Sequence, residues 1–505
     1  MNVPMRRLFP CLSLAVLTLS LAARDIPVKN AAELKAAAAM AVSGDTIRLA
    51  SGRYDDVKFR IAKNGTQGRP IQVVAAVPGE AIFGGASEID ISGAYVTIDG
   101  LYLLNGAIAS GAADRSVITF NSHHGVVRNT AIVDYNPAGF ETAYYWVFFN
   151  GSHNTLERCY FKGKNNLEPL IGNGLENAQY NSVVGCYFKN IPYDVGNGRE
   201  DIRVWGSGKF DEKTTEGAYF VIQGNLFDHA DGEGTEIVSL KSNFNQVLNN
   251  TVRATRGGIN IRRGANNTVK GNIVLGEGVA GAHGLRMSGA NHVVQGNYVS
   301  GCDYGIRVSA GEFTAHALTP DYSPKEKSNA KTAKNALGIV TAYPQSKKLT
   351  LSGNVVVACD GPDLELGSDY KKHWPQEQMV LLPSDCDISG NRFVRPKGGA
   401  SVEIVAPESQ FASLAAKSLP NRFSNNVVLG AKSKGAPSGG FKFEGLPSGW
   451  TEKREMGEFR PLKPEDVGPP WVIALRAAGK FEVEDDMSCS RDPAAKKAKK
   501  PKKQK

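Results

Sequence analysis

A short sequence motif recurs through the centre of the chain. It contains Gly-Asn or Asn-Asn, with apolar residues before and after this pair. It reads Val221-Ile-Gln-Gly-Asn225-Leu-Phe227, Gln246-Val-Leu-Asn-Asn250-Thr-Val252, Thr268-Val-Lys-Gly-Asn272-Ile-Val274 and Val293-Val-Gln-Gly-Asn297-Tyr-Val299. The steps between these asparagines are 25, 22 and 25 residues. A period in the twenties, built from β-branched runs and Asn or Gly turns, indicates a solenoid whose coils stack on one another.

Related phrases extend the repeat in both directions, around Asn129, Cys159, Cys186, Asn354, Asn391 and Asn426. Longer steps, such as the 39 residues from Cys186 to Asn225, indicate loops inserted into a coil. Asparagine suits the turn because it tolerates the left-handed backbone conformation. Leucine-rich repeats share the period, but their spaced leucines are absent. We therefore predict an all-β fold, a single-stranded right-handed parallel β-helix over residues 24–400.

The remaining segments fit around this solenoid. The Ala-rich stretch Ala31–Ala41 predicts a helix that caps the open edge of the first coil. Residues 311–345 predict a long polar loop, 401–486 an irregular closing segment of the same domain, and 487–505 a disordered Lys-rich tail. Residues 1–23 have the charged, apolar and small-residue parts of a signal peptide, so we expect a secreted or periplasmic protein without a membrane span.

Charge excludes one class of partner. The formal net charge of the 505 residues is +9, but seven lysines of the tail and two arginines of the signal account for it. The body of the protein is near neutral, which is not the charge balance of a nucleic-acid-binding protein. We expect a monomer that meets an anionic polymer through a local groove.

The cysteines give a further prediction. Cys159 and Cys186 occupy equivalent positions of two repeats, and equivalent positions stack in a core. We therefore expect buried free thiols. The even number of cysteines outside the signal leaves disulfides open in an exported protein.

The chemistry is concentrated in Asp231-Gly-Glu-Gly-Thr-Glu-Ile-Val-Ser-Leu-Lys241-Ser242 and Ile261-Arg-Arg-Gly264. Because residues one coil apart in a β-helix lie about 4.8 Å apart, coil steps convert sequence spacing into contacts. The 39-residue step carries Asn197 to Glu236, and the 22-residue step brings Arg262 beside Lys241. The 25-residue step carries Arg262 to within one residue of Arg286. The arithmetic predicts one cluster on consecutive coils.

Such a cluster suits proton abstraction from an anionic sugar. Amide and carboxylate oxygens are the ligands that Ca²⁺ prefers. A cation that neutralises a uronate carboxylate would acidify the proton at C5, which Lys241 could remove. Each of these residues taken alone also fits the solvated face of a solenoid, and His283 with Arg286 also fits a turn.

The motifs Asn197-Gly-Arg-Glu-Asp-Ile-Arg203, Asp231–Ser242 and Arg262-Arg-Gly264 resemble those of polysaccharide lyase family six, the chondroitinase B and alginate lyase group. The resemblance covers about residues 25–400. It implies that Lys241 is the general base, that Arg262 is the general acid, and that Asn197, Glu233 and Glu236 bind calcium. We also expect substrate contacts from Arg203, Arg263, His283 and Arg286.

One departure from the family pattern concerns the acids. The family spaces them as Glu-x-Glu on one face of a strand, whereas Gly234 and Thr235 separate Glu233 from Glu236 here. Either Gly234 makes a bulge that brings both carboxylates to the site, or Glu236 alone remains in place.

Three functions remain open on sequence grounds. The first is a lyase that cleaves a uronate polysaccharide by β-elimination, with alginate or polymannuronate as first expectation and dermatan sulfate as second. The second is a β-helix glycoside hydrolase, which needs a pair of catalytic carboxylates and leaves the lysine and arginine unexplained. The third is a non-catalytic carbohydrate-binding β-helix.

Overall fold

Three long parallel sheets wind the chain into a β-helix in this computed structural model. The structure describes residues 22–108, 115–174, 178–193, 198–206, 214–313, 343–371, 373–374, 377–416, 418–434 and 439–481. The predicted signal, most of the predicted loop over 311–345 and the Lys-rich tail lie outside these ranges. Within the described part, no helix is long and apolar enough to cross a membrane.

Fourteen strands form the sheet that we call sheet A. They are Asp25–Val28, Thr46–Leu49, Ile71–Ala75, Val96–Asp99, Val126–Arg128, Thr155–Glu157, Ser182–Val184, Val221–Gln223, Gln246–Leu248, Thr268–Lys270, Val293–Gln295, Thr350–Ser352, Asp387–Ser389 and Arg422–Ser424.

Fourteen strands also form sheet B, which follows sheet A within each coil. They are Gly52–Asp55, Ala81–Gly85, Tyr102–Gly106, Ala131–Val133, Tyr160–Lys162, Tyr187–Ile191, Leu226–Ala230, Thr251–Arg253, Ile273–Leu275, Tyr298–Ser300, Val355–Val357, Arg392–Val394, Asn426–Leu429 and Phe441–Glu444.

Sheet C has thirteen strands and completes the coil. They are Lys58–Ile61, Glu88–Ile91, Ser116–Phe120, Tyr145–Phe149, Ile171–Asn173, Ile202–Trp205, Glu236–Lys241, Gly257–Arg263, Ala282–Met287, Tyr304–Ser309, Leu364–Ser368, Ala400–Ile404 and Lys432–Lys434. A small antiparallel sheet of Gly311–Phe313, His373–Trp374 and Glu377–Leu381, which we call the insert sheet, accompanies the later coils. The predicted parallel β-helix is confirmed, but its strands continue past the predicted boundary at residue 400 as far as Glu444.

Within the described residues the helical segments are few, and they lie at the N-terminus, between late strands and along the outside of sheet B. Ala31–Met40 is the predicted N-terminal helix; the Asn30 side chain caps it, and it buries Leu34 and Ala37 in the core of the first coil. The other helical segments are Ala412–Ala415, Glu452–Met456, Pro470–Ala477 and the 3₁₀ turn Ser409–Phe411.

The C-terminal segment 445–481 runs back along the outside of sheet B. The backbone N–H of Leu462 donates to Thr251 Oγ1 at 2.9 Å, that of Gly468 to the Gly185 carbonyl at 2.8 Å, and Trp471 Nε1 to the Asn129 carbonyl at 2.7 Å. Trp471 also packs against Tyr102 with ring centroids 5.3 Å apart. The segment covers the outer face of sheet B, so the candidate site must lie elsewhere.

The repeated asparagines stack inside the turns as a hydrogen-bonded ladder. From Asn225 to Asn426, each amide nitrogen donates to the amide oxygen of the asparagine one coil further, at 2.9–3.0 Å. Cys159 and Cys186 occupy the same position in earlier coils, where the Cys186 N–H donates to Asn225 Oδ1. Together with Cys302, Cys359 and Cys386 they are buried free thiols, which confirms that prediction for five of the six cysteines; Cys489 lies outside the described residues.

Asn272 shows what the ladder contributes to stability. Its Oδ1 accepts two hydrogen bonds from Asn250, and its Nδ2 donates to Asn297 Oδ1 and to the Val247 carbonyl. Replacement by alanine leaves these buried partners unsatisfied, so we expect Asn272→Ala to lower the free energy of unfolding by about 2–4 kcal/mol. Urea denaturation measures the change. The control is Gln295→Ala, an exposed position on the neighbouring coil; an equal loss in both variants would contradict the prediction.

Candidate active site

The candidate site lies on the outer face of sheet C, across three consecutive coils. Strand Ile202–Trp205 pairs with Glu236–Lys241, which pairs with Gly257–Arg263. Alternation along the strands buries the apolar residues and turns the polar residues outward. Trp205, Lys241 and Arg263 are direct register partners and form one outward column.

Two register shifts interrupt this pairing at the site. Ile237 is an extra residue between Glu236 and Val238, and Arg262 is an extra residue between the partners of Leu240 and Lys241. Arg263, not Arg262, therefore stands directly above Lys241. Arg262 lies at a β-bulge and has no place in the regular pairing of the two strands. Such bulges change the direction of side chains and are common next to active sites.

Three glutamates meet below Lys241. Carboxylate oxygens of Glu200, Glu233 and Glu236 all lie within 4.8 Å of one another. Glu200 and Glu236 are buried, and Oε2 of Glu200 accepts no hydrogen bond from the described residues, although an Arg203 nitrogen lies 3.6 Å away. The hydroxyl of Ser239 donates to Glu236. We call these three residues the glutamate cluster.

The register corrects the predicted alignment of Asn197 with Glu236. Ile202 pairs with Val238, so the coil step in sheet C is 36 residues and Glu200 stands one coil below Glu236. The step of 39 residues holds in sheets A and B, where Ser182 pairs with Val221 and Tyr187 with Leu226. Asn197 itself lies outside the described residues, so its predicted role as a ligand stays a prediction.

A tight turn brings Glu233 into the cluster despite the extra residue. The Gly234 N–H donates to the Asp231 carbonyl at 2.7 Å, and Gly232 and Gly234 have φ of 51° and 74°. Oε2 of Glu233 accepts a hydrogen bond from the Gly198 N–H at 2.8 Å. The structure brings both carboxylates to the cluster through a turn before the strand, where the sequence alternative had a bulge at Gly234. That Glu233 and Glu236 bind calcium stays a prediction.

The pKa values of Glu233 and Glu200 are shifted in opposite directions. Burial, together with the nearby charges of Glu200 and Glu236, raises the pKa of Glu233 to about 7. Burial acts in the same direction on Glu200, but Lys241 and Arg203 outweigh it and keep the pKa of Glu200 below its ordinary value. The cluster thus carries more negative charge than its immediate protein surroundings compensate.

Lys241 and Arg262 line one cleft, as predicted. Nζ of Lys241 lies 2.6 Å from Oε1 of Glu200 and 5.2 Å from the centre of the Trp205 ring. The Arg262 guanidinium lies 5.0 Å from the centre of the Tyr343 ring. The cleft has a volume of about 330 Å³, and its walls are Ala143, Leu167, Glu168, Gly198, Arg203, Trp205, Lys241 and Arg262.

Two of the predicted substrate-binding residues are close to this cleft. Arg203 donates to Glu168 at 2.9 Å and to the Tyr145 hydroxyl at 2.7 Å. Its guanidinium is therefore already hydrogen-bonded within the protein. The Arg263 guanidinium lies 4.7 Å from the centre of the Trp205 ring. Burial, with the charge of Arg262, lowers the pKa of Arg263 to about 10.

The other two predicted contacts lie one coil further. His283 stacks on Tyr304 with ring centroids 4.7 Å apart, and burial lowers the pKa of His283. Arg286 pairs with Asn260 in the sheet, two residues before Arg262, so the predicted alignment to within one residue of Arg262 was wrong. Arg286 forms a 2.9 Å ion pair with Asp369.

Several functional candidates escaped the sequence reasoning. Glu200 lay inside a quoted motif and would have been found with the coil step of sheet C. Trp205 follows from the coil below Lys241 once the strands are aligned, whereas Glu168 precedes the strand Ile171–Asn173 of the coil before that. Tyr343 comes from the far side of a long insertion and carries no periodic signal.

Comparison with known proteins identifies the family of the chain. The family model for Chondroitinase B matches residues 28–348. The structure of the PL6 family polysaccharide lyase Pedsa3628 from Pseudopedobacter saltans superposes with a TM-score of 0.77 at 35% sequence identity, over 88% of this chain and 99% of that one. No curated protein sequence matches.

Two further structures share the fold at lower identity. The PL6 family alginate lyase AlyGC has a TM-score of 0.72 at 21% identity, over 89% of this chain and 59% of its own. A mannuronic acid specific family 6 lyase from the human gut microbiota has a TM-score of 0.69 at 22% identity, over 90% and 98% of the two chains. The β-helix is that of a polysaccharide lyase. The chain belongs to the chondroitinase B family, polysaccharide lyase family six.

The turn that presents Glu233 gives a test of the site's architecture. A Cβ on Gly234 would lie 2.2 Å from the Tyr193 ring, in a backbone with φ of 74°. A Cβ on Gly224, with φ of 62°, would meet no atom within 4 Å. Both alanine variants incur the left-handed cost of about 1–2 kcal/mol, and Gly234→Ala incurs about 1–3 kcal/mol more from overlap.

The difference between the two variants isolates the packing of the turn. Urea denaturation of Gly234→Ala and Gly224→Ala measures it, since both substitutions add the same methyl group. Equal stability of the two variants would show that the turn does not depend on close contact with Tyr193.

Proposed function

We propose that this lyase cleaves a uronate polysaccharide by β-elimination, with Lys241 as the base and Arg262 as the proton donor. The observation that carries the proposal is the single cleft that Lys241 and Arg262 share, directly beside the glutamate cluster. Lys241 is the candidate base because its Nζ, held by Glu200, faces the cleft. A glycoside hydrolase needs a pair of catalytic carboxylates, and this alternative would give Lys241 and Arg262 no role.

The elimination balances within the cleft. The Lys241 amine takes the proton from C5 of the uronate, and the electron pair of the C5–H bond forms the C4–C5 double bond. The C4–O bond breaks with its electron pair on the leaving oxygen, which takes a proton from the Arg262 guanidinium. The products are an unsaturated sugar at one new end and a hydroxyl at the other.

The glutamate cluster is our proposed calcium site. Two buried carboxylates and the half-buried Glu233, with one Glu200 oxygen that accepts no hydrogen bond from the described residues, offer the hard oxygen ligands that Ca²⁺ prefers. When bound, the cation would supply positive charge to the substrate carboxylate and so favour loss of the neighbouring proton. Glu200, Glu233 and Glu236 would hold it, and Lys241 stays within reach of the same carboxylates.

Alginate or polymannuronate is the proposed substrate, with dermatan sulfate second. This preference is supported by arginines in and near the cleft that form ion pairs with acidic side chains of the protein itself. Arg203 pairs with Glu168, Arg286 with Asp369 at 2.9 Å, and Arg307 with Glu365 at 2.7 Å. A sulfated polymer brings further anions, and these paired arginines are poorly placed to receive them. From residues 1–23 we also propose that the protein is exported.

A substrate panel tests the reaction. Ultraviolet absorbance from the new double bond is followed with alginate, polymannuronate and dermatan sulfate. We expect absorbance to rise fastest with one of the two unsulfated polymers. Lys241→Gln should lower the rate about 10²–10⁴-fold because it removes the base, while Lys270→Gln, at an exposed position of sheet A, should not change it.

Three outcomes of the panel would contradict the proposal. Absence of absorbance with every uronate polymer would refute β-elimination of uronates. New reducing ends without absorbance would indicate hydrolysis. A Lys241→Gln variant as active as the wild type would remove Lys241 from the chemistry.

Calcium binding is tested without activity. We expect Ca²⁺ to raise the Tm of the wild-type protein because a ligand bound only by the folded state stabilises it. Glu236→Gln should abolish this rise, and Glu157→Gln, an exposed glutamate of sheet A, should retain it. A Tm that Ca²⁺ leaves unchanged in the wild type, or raises equally in Glu236→Gln, would contradict the site.

A further inference from the structure

Tyr343 joins the insert sheet to the catalytic face. Its ring is 7% exposed and packs with Ala310 and Met379 in a small core, with Tyr370 at the edge. The backbone is tied to the same place, because the Glu312 N–H of the insert sheet donates to the Tyr343 carbonyl at 2.9 Å. The ring is therefore fixed by groups outside the three main sheets.

The same ring lies against two arginines of sheet C. Its centre is 5.0 Å from the guanidinium carbon of Arg262 and 5.2 Å from that of Arg286. Both distances are within the range of cation–π attraction. Arg286 is held on its other side by Asp369, so the ring, Arg286 and Asp369 form one packed unit beside Arg262.

Arg262 has particular need of such a support. It is the extra residue of a bulge, where the regular alternation of side-chain directions along the strand is interrupted. A proton donor must reach within hydrogen-bond distance of the leaving oxygen, and displacement by about 1 Å costs on the order of 10²-fold in rate. The direction of the guanidinium thus depends on side-chain contacts.

We propose that Tyr343 is a positioning residue that holds the Arg262 guanidinium at the cleft. The inference rests on the proposed elimination, in which Arg262 serves the leaving group. Tyr343 acts through Arg262 and is separate from the reacting atoms. The insert sheet thereby contributes to the reaction from a part of the chain distant in sequence.

The aromatic face is the part of Tyr343 that matters, and this determines the variants. Tyr343→Leu removes the ring and should lower kcat about 10-fold while KM changes less than about threefold, because the ring supports the proton donor. Tyr343→Phe keeps the ring and should stay within about twofold of wild type. Tyr298→Leu is the control, a fully buried ring on sheet B that packs on Phe459 and lies away from the cleft. It should lower Tm and leave kcat unchanged.

The outcomes separate this inference from the proposed function. A wild-type kcat in Tyr343→Leu, a loss in Tyr343→Phe equal to that in Tyr343→Leu, or an equal loss in Tyr298→Leu would each overturn the positioning role. If the wild type is inactive on every uronate polymer, the proposed function fails and a crystal structure of Tyr343→Leu decides the inference. An Arg262 guanidinium displaced from its wild-type position supports it, and an unmoved guanidinium overturns it.

Discussion

In-register stacking of parallel coils is the constraint on which the rest of this molecule depends. Each strand hydrogen-bonds to the strand one coil away, so an outward residue becomes a member of a column along the helix axis. Trp205, Lys241 and Arg263 form such a column, and Val204 and Leu240 are buried behind it. A slip of one residue would exchange the buried and outward sets, so the core itself fixes the order of the functional groups.

The same stacking imposes an electrostatic cost on the site. Column geometry and the Asp231–Gly234 turn bring three carboxylates within 4.8 Å, where each disfavours the charge of the others. The positive charges of Lys241 and Arg203 offset the burial of Glu200 and lower its pKa. Glu233 is buried near Glu200 and Glu236, and its pKa is raised to about 7. The fold therefore confines negative charge on one side of Lys241, next to a cleft that Arg262 also lines. This separation of charge is what an anionic substrate and a proposed divalent cation would both use.

The period of the asparagine phrases was sufficient to predict the β-helix, because an internal repeat reports its architecture directly. It also placed Lys241 and Arg262 on neighbouring coils, since the step from Lys241 in sheet C and the next steps in sheets A and B are all 22 residues. Glu200 escaped because the step was measured at the turn asparagines, where it is 39 residues, while sheet C advances by 36. Loops inserted at different corners of a coil change the step of one sheet without changing that of another.

This dependence on corners explains which functional residues sequence reasoning can reach on a solenoid. A residue within a strand or just before one has neighbours set by the step of its own sheet, so Trp205 and Glu200 follow once that step is known. A residue carried by an insertion, such as Tyr343, inherits nothing from the period and is placed by packing against Ala310 and Met379. Arg262 depends on both kinds of information, because the coil step brings it beside Lys241 and the bulge frees its side chain from the ladder. Contact with Tyr343 of the insertion then directs the Arg262 side chain. The sequence could therefore place Arg262 near Lys241 but could not predict the contact that orients it.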